Sequence, residues 1–414
     1  MQGFVMGFLR EELSKPSVFM DETPLSLEYV PSRLPHREKE LRFLAQLFRA
    51  QIQRPGSMSQ RVLIAGDVGT GKTVLAKRFG LELEEETRAR SVNFKYMHVN
   101  CRESRGSLFL VLKKILSEFI PRFPPRGFSP EELLSMLIRL LEKKKLHLML
   151  ALDELESLIR VDGSPAIYNL TRIQEHEEQG SAKLSLMFII RDLSYLSRLD
   201  KSALSTMQQN VVKLERYTAD QLEEILKDRV KLSYKPDTIS DESVRYIAEL
   251  ASKSGDARYA IEVLWRAGKY ADAEESATVT MEHVRQAASS IHPAFKEEHL
   301  RGLSISEKLV LLALSRVLKS SGGAYATMGE VEDAYQVVCE EYGETPRKHT
   351  QVWKYVRNLG ATGVVSTKRS GEGVKGKTTM VGLDLIPAAQ MEKWLESVLE
   401  TLKKSTYYKR AYFL

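Results

Sequence analysis

Cysteine is nearly absent. Cys101 and Cys339 are the only two in 414 residues. They lie far apart, with no CxxC pair and no histidine at ligand spacing, which excludes a disulfide framework and a Cys-rich zinc module. A reducing interior is the expected setting. Long apolar runs are missing as well. The strongest, near Leu146–Leu152, is about a third of a membrane span. Met1–Leu13 lacks the basic lead and long apolar core of a secretory signal, and Met1–Met20 reads as a loose lead-in without helical patterning. The eight histidines share no metal spacing, and no Ser–His–Asp arrangement can be defended. They read as core or surface residues. There is no internal repeat and no low-complexity tract. The expectation is a cytoplasmic protein without a membrane partner. Its length suggests two or three domains, and 43% apolar residues are enough to build cores without staples.

Net charge is modest, with 61 Lys+Arg against 55 Asp+Glu, or +6. Its distribution is uneven. Residues 343–382 hold eight basic residues (Arg347, Lys348, Lys354, Arg357, Lys368, Arg369, Lys375 and Lys377) against Glu344 and Glu372 alone. That segment accounts for the whole excess. A basic block in an otherwise balanced chain points to a polyanion on one face, with a merely solvated surface as the alternative.

The hydropathy pattern divides the chain. Short β-rich runs fall at Arg61–Ala65, Phe94–Val99, Leu146–Leu152 and Leu184–Ile190. Amphipathic helices fall after Pro35 and at Val74–Glu84, Ser107–Ile120 and Glu131–Lys144. Strands alternating with helices imply an α/β fold, a parallel sheet covered on both faces. After about Arg216 the strand signals stop, and three helices (Asp220–Lys231, Ser240–Ser252, Ala257–Ala267) read as a helical lid. From Ser304 three more helices (Ser306–Lys319, Met328–Tyr342, Arg347–Leu359) precede two β-rich runs in Gly363–Leu385. The expected domains are 1–215, 216–295 and 296–414.

Gly66-Asp67-Val68-Gly69-Thr70-Gly71-Lys72-Thr73 matches the phosphate loop G-x-x-x-x-G-K-[ST] between a strand and a helix. Its glycines let backbone N–H groups turn inward, and the helix N-terminus favours phosphate. Lys72 would reach the β/γ-phosphates, and Thr73 would hold Mg²⁺. Leu148–Glu154 ends an apolar strand in two acids. Asp153 would orient Mg²⁺ or its water, and Glu154 would polarise an attacking water. ATP or ADP with Mg²⁺ is the expected cofactor. Gly255–Arg258 opens a lid helix, from which Arg258 could reach the γ-phosphate.

These pieces resemble the AAA+ ATPases, and more narrowly the archaeal replication initiators of the origin-recognition and Cdc type. Tyr29–Glu38 is similar to the family's N-terminal motif that packs around adenine, so Val30 and Pro31 are expected at the base. Arg216–Leu222, continued by Asp228-Arg229-Val230, resembles the motif opening the lid. The resemblance puts Tyr217 and Arg229 in the nucleotide pocket and makes Arg258 the second sensor. It covers about Pro16 to Leu385. It implies an AAA+ P-loop sheet, a lid and a C-terminal winged helix. It also implies origin duplex DNA as partner, together with a related initiator and the replicative helicase, on a nucleoid-associated protein. Two departures stand out. Where the family has Asn-Asp as first sensor, this chain has Arg191-Asp192, and Arg carries no acceptor for a water. Where the family has an arginine finger, the stretch reads Asp200-Lys201-Ser202-Ala203. A finger is worth about 10³-fold or more in phosphoryl transfer, so slow hydrolysis is expected.

Within the winged helix, Arg347–Leu359 is the expected recognition helix. Val352, Val356 and Leu359 face inward, while Gln351, Lys354, Tyr355 and Asn358 face out beside Arg347 and Lys348. Lys368, Arg369, Lys375 and Lys377 flank a glycine-rich tip suited to a wing. Pro121–Pro130 (PRFPPRGFSP) is the second expected DNA contact. There Arg122, Arg126 and Gly127 form a proline-bounded basic tip in the place of the family's DNA-touching insertion. Two other readings share this architecture: an ATP-gated transcriptional regulator or silencer, and a DNA-independent adaptor that docks proteins through the winged helix.

Overall fold

The computed structural model describes residues 2–54, 58–124, 127–172, 183–207, 210–291, 302–361, 363–369, 378–383 and 386–411, with the backbone alone at 2–6, 12 and 402–411. The chain packs as two units. One holds Glu28–Gln221 with Ser254–Ala257; the other holds Met1–Leu27, Leu222–Lys253 and Arg258–Leu414.

The first unit is built on a parallel five-stranded sheet of β1 (Arg61–Ala65), β2 (Phe94–Asn100), β3 (His147–Asp153), β4 (Leu184–Ile190) and β5 (Val211–Lys213), in the order β2-β3-β4-β1-β5. All seven residues of β3 are buried, and so are all seven of β4, as strands covered on both faces require. Alternation divides their side chains between two cores. Leu148, Leu150 and Leu152 join Phe188 and Ile190 in one core, lined by α4 (Leu108–Phe119) and α5 (Pro130–Lys143). Met149 and Ala151 join Met187 and Ile189 in the other, under α2 (Glu38–Gln53) and α3 (Lys72–Ala89). Four strands match the expected runs to within a residue or two. β5 was missed, because its three residues alternate exposed-buried-exposed and show no apolar run. Also missed were α6 (Leu155–Val161), α7 (Gly163–Arg172) and α8 (Lys201–Met207), which close one face.

In the second unit the lid comprises α9 (Ala219–Ser233), α10 (Asp241–Ser252), α11 (Ala257–Ala273) and α12 (Met281–Ile291). The fourth of these was not foreseen. The winged helix follows, with α13 (Ile305–Ser321), β6 (Ala326–Thr327), α14 (Met328–Tyr342), α15 (His349–Ala361), β7 (Val365–Arg369), β8 (Thr379–Leu383) and α16 (Ala388–Ala411). β8 pairs antiparallel with β6 and with β7. Capping boxes start α13 (Ser304 with Glu307) and α14 (Thr327 with Glu330), and left-handed Gly322 and Gly343 end them. The added helix α16 buries Ala388, Met391, Leu395 and Leu399 in the winged-helix core.

The expected loose lead-in is instead a helix, α1 (Gln2–Ser14). Periodicity misses a helix whose described side chains, Phe8, Leu9 and Leu13 among them, are exposed. Its residues Leu9–Leu13 are good helix formers in their own right. The following strap packs on the lid. Phe19 lies against Tyr234 with ring centroids 4.7 Å apart, and the Val18 amide donates to Asp272 Oδ1 at 2.8 Å. These first 27 residues therefore group with the lid, away from the sheet domain to which the sequence reading gave them.

Candidate functional site

The phosphate loop links β1 to α3. Gly69 and Gly71 take left-handed backbone, with φ of 74° and 88°. At Gly69 the space is closed too, since a Cβ there would stand 1.8 Å from Asp256 Oδ1. The Ala257 amide donates to the Gly69 carbonyl at 3.1 Å, so the Gly255-Asp256 turn braces the loop. Lys72 Nζ donates to the carbonyls of Gly66 and Asp67, each at 2.6 Å. Arg216 Nε pairs with Asp67 Oδ2 at 2.6 Å.

Beside the loop, β3 delivers its acids at the C-terminal edge of the sheet, where open α/β sheets bind ligands. The Thr73 hydroxyl donates to Asp153 Oδ2 at 2.6 Å. His98, on the neighbouring β2, places Nε2 3.1 Å from the same oxygen. Burial pushes the Asp153 carboxyl up, but the hydrogen bonds from His98 and Thr73 outweigh it and hold the group below the usual carboxylate range. Glu154 takes left-handed backbone, with φ 50°, and Arg102 Nη1 lies 3.7 Å from its Oε2. The donor set, one hydroxyl and one carboxylate, suits Mg²⁺, which takes hard oxygen ligands and completes its shell with water and phosphate. Among the described residues no cluster of three or more His, Cys, Asp or Glu could hold an ion by itself.

Arg37 ties this region together. It is buried and donates from Nη2 to the carbonyls of Thr70 and Glu215, each at 2.9 Å. Its guanidinium carbon lies 4.2 Å from the ring centroid of Tyr217. Tyr217 in turn reaches the loop, because a Cβ on Gly71 would stand 2.9 Å from its hydroxyl. Val30 and Pro31 lie half-buried in the segment before Arg37. Thus Lys72, Thr73, Asp153, Glu154, Tyr217 and the loop belong to one unit. Arg229 and Arg258 belong to the other. Arg229 is buried and donates to the Pro24 carbonyl at 3.0 Å. Arg191 is exposed at the end of β4, and Asp200 caps α8 by accepting from the Ala203 amide at 2.8 Å.

In the second unit α15 shows its inner face as expected, with Val352, Val356 and Leu359 buried. On the outer face Lys354 and Asn358 are exposed, and part of that face is engaged within the fold. Asn358 donates to Glu307 Oε1 at 3.1 Å. The Tyr355 phenol is held below its ordinary range by hydrogen bonds with Ser306 and Gln351. Gln351 is only partly exposed, whereas Arg347, Lys348, Thr350, Lys354 and Arg357 are fully displayed. Positions 350, 354 and 357 share one helical stripe, just beyond the basic Arg347-Lys348 lead-in. Arg357, counted in the basic block but not among the outward-facing residues of the helix, lies three residues after Lys354, and that spacing is the signal for it. On the wing, Arg369 is exposed, while Lys368 is bound by Glu249 of the lid. Lys375 and Lys377 lie outside the described residues, as does Arg126. Around that insertion, Arg122 and Gly127 are exposed in left-handed backbone, with φ of 61° and 107°. They are borne on Phe123 and Phe128, whose centroids are 6.0 Å apart and which pack on the sheet core.

Residues 57–196 match the family described as AAA domain, 223–289 that described as Cdc6 AAA+ ATPase-type lid domain, and 298–393 that described as CDC6, C terminal winged helix domain. The chain is 34% identical over 397 residues to the ORC1-type DNA replication protein 2 of Sulfurisphaera tokodaii, covering 94% of this chain and 95% of that one. The chain belongs to the ORC1/Cdc6 family of archaeal replication initiators. Among solved structures it is similar to Cdc6p of Pyrobaculum aerophilum, at TM-score 0.82 and 30% identity over 93% of this chain and 99% of that one. It is also similar to the Aeropyrum pernix ORC1 protein solved in complex with DNA, at TM-score 0.61 and 30% identity over 92% and 98%. Its architecture is that of this family: AAA+ base, lid and winged helix. Among the described residues no helix is long and apolar enough to cross a membrane.

Proposed function

We propose that this ORC1/Cdc6-type initiator binds ATP or ADP with Mg²⁺, hydrolyses ATP slowly, and binds origin duplex through the winged helix and the Arg122–Gly127 insertion. The observation that carries the DNA reading is the exposed basic stripe on α15, Lys354 and Arg357 beyond Arg347 and Lys348. It lies in a fold shared with the Aeropyrum pernix ORC1 protein solved in complex with DNA. Exposed lysine and arginine on a groove-sized helix suit phosphates and guanine edges.

At the base, a bound nucleotide would present its phosphates to the loop amides, and Mg²⁺ would neutralise charge between them. Lys72 would exchange the Gly66 and Asp67 carbonyls for phosphate oxygens. Thr73 and Asp153 would hold the cation, with His98 orienting the carboxylate. Tyr217 and Arg37 would hold the loop in shape, with Val30 and Pro31 beside the base. Glu154 would polarise water, but Arg102 draws on its charge, and Arg191 offers no acceptor to orient that water. Slow turnover follows. Recruitment of the replicative helicase, with a related initiator supplying the missing finger, completes the reading, as does a place on the nucleoid.

The test is sequencing of genomic fragments captured by the protein, wild type against Lys354→Ala/Arg357→Ala. Enrichment at a few origin-like loci, weakened by the double change, supports the initiator. Enrichment across many promoters supports a regulator of the same architecture. No enrichment returns the winged helix to protein docking.

A further inference from the structure

We propose that the lid holds a wing lysine in an autoinhibitory clasp, with the Glu249 carboxylate occupying the place that a DNA phosphate would take on Lys368. The inference rests on the reading of the wing as a DNA contact and adds a control to it. Lys368 lies on β7, which pairs with β8 alone among the described strands. Its Nζ is 2.9 Å from both carboxylate oxygens of Glu249 on α10. The same ammonium lies 3.8 Å from the ring centroid of Tyr325, whose hydroxyl donates to Glu249 Oε2 at 2.7 Å. Arg245 donates to Glu249 Oε1 at 3.2 Å and turns its other end to Glu223 at 2.7 Å.

This is more than a surface ion pair. An isolated exposed Lys–Glu pair orders two flexible side chains for little gain. Here the carboxylate is already fixed by a tyrosine and an arginine, and the lysine has an aromatic floor, so less freedom is lost on closing. Burial tends to raise the Glu249 carboxyl, but Lys368 and Tyr325 hold it below its usual range, so it is charged at neutral pH. The joint beneath is firm as well. Arg285, almost wholly buried, donates to the carbonyls of Gly323 and Ala324 at 2.6 and 3.2 Å. Tyr246 donates to the Leu383 carbonyl at 2.5 Å. The lid therefore presents its carboxylate to the wing in one geometry, while the neighbouring Arg369 stays displayed. A phosphate reaching Lys368 must displace Glu249, and whatever shifts α10 away from β7 releases a wing cation.

The experiment measures duplex affinity against salt for the full chain in four forms: wild type, Glu249→Gln, Lys368→Ala and both together. Glu249→Gln should tighten binding about threefold and steepen the slope of log K on log salt by about 0.9, one further phosphate contact. In the Lys368→Ala background the same change should do nothing. A gain of equal size in both backgrounds would mean general loss of negative charge and would overturn the clasp. No gain in either would overturn it too. Tyr325→Phe keeps the ring and removes only the hydroxyl on Glu249. It should give a smaller gain in the same direction, which covers the case in which Glu249→Gln loosens the fold. If wild type binds no duplex at all, the DNA reading falls first and the clasp with it.

Discussion

The guanidinium carbon of Arg37 sits 4.2 Å from the ring centroid of Tyr217, and one nitrogen of the same group donates to carbonyls on two separate segments, Thr70 and Glu215. One buried cation thus joins the N-terminal motif, the phosphate loop and the segment leading to the lid. Burial pushes the Tyr217 phenol up, and Arg37 opposes it.

Arg37→Ala orphans two carbonyls and uncovers Tyr217. Each unsatisfied buried group costs about 1–3 kcal/mol, so the melting temperature should fall and affinity for a fluorescent ADP analogue should drop at least about tenfold. Lowered stability with unchanged affinity would reduce Arg37 to a scaffold residue.

Gly69→Ala tests the loop brace. The position has φ +74°, and the added carbon meets Asp256 Oδ1 at 1.8 Å. Both strain and clash oppose it, so nucleotide binding should be lost together with about 1 kcal/mol or more of stability. The companion Gly69→Ala/Asp256→Gly removes the side-chain clash and leaves the strain and a 2.8 Å approach to the residue 256 Cα. Partial recovery of binding in the double variant is the expected result.

The phosphate loop and the β3 acids were legible because their chemistry is local: glycine spacing, one lysine, and an apolar strand ending in acids. Strands β3 and β4 were legible because they are buried on both faces and read as unbroken apolar runs. Arg37 and His98 were not assigned roles, since their partners are 33 and 55 residues away and no spacing rule connects them. The contacts made by the outer face of α15 are hidden from sequence for a similar reason. Helical phase put Tyr355 and Asn358 outward, but α13 takes both through Ser306 and Glu307. The helix α16 was within reach: Ala388, Met391, Leu395 and Leu399 keep helical spacing. Lys368 reads as a wing cation in sequence, and only tertiary contact reveals the acid that binds it.

The Asp153 carboxyl gives a pH signature. Its folded value lies below the ordinary one. A depressed carboxylate adds stability that is complete above its unfolded value of about 3.9 and is lost as pH falls through the folded value. Asp153→Asn should therefore lie below wild type in urea midpoint at pH 7. The gap should narrow as pH drops below about 4. A gap independent of pH would assign the loss to packing alone.

Turnover should be slow, and the residue at 191 should be part of the reason. Arg191→Asn restores an acceptor at the end of β4. Single-turnover hydrolysis should rise about tenfold while ATP affinity changes little. Lys72→Ala should abolish binding in either background. Wild-type turnover at ordinary AAA+ rates, abolished by Lys72→Ala, would contradict the slow-hydrolysis reading.

The stripe on α15 makes the sharpest demand on the DNA reading. Lys354 and Arg357 are exposed, and neither makes an ion pair with an acid of its own helix, since α15 contains none. If each neutralises one phosphate, Lys354→Ala and Arg357→Ala should each weaken duplex binding and flatten the slope of log K on log salt by about 0.9. Lys319 is a control of equal charge, because Glu392 already holds it at 2.6 Å. Lys319→Ala should leave the slope unchanged. An Arg357 that reads a guanine edge instead would behave differently. Its loss would cost about 1–3 kcal/mol on the preferred sequence and far less on random duplex. Comparing the two duplexes at one salt concentration separates a phosphate contact from a base contact. Equal slopes for all three variants and wild type would remove α15 from the DNA surface.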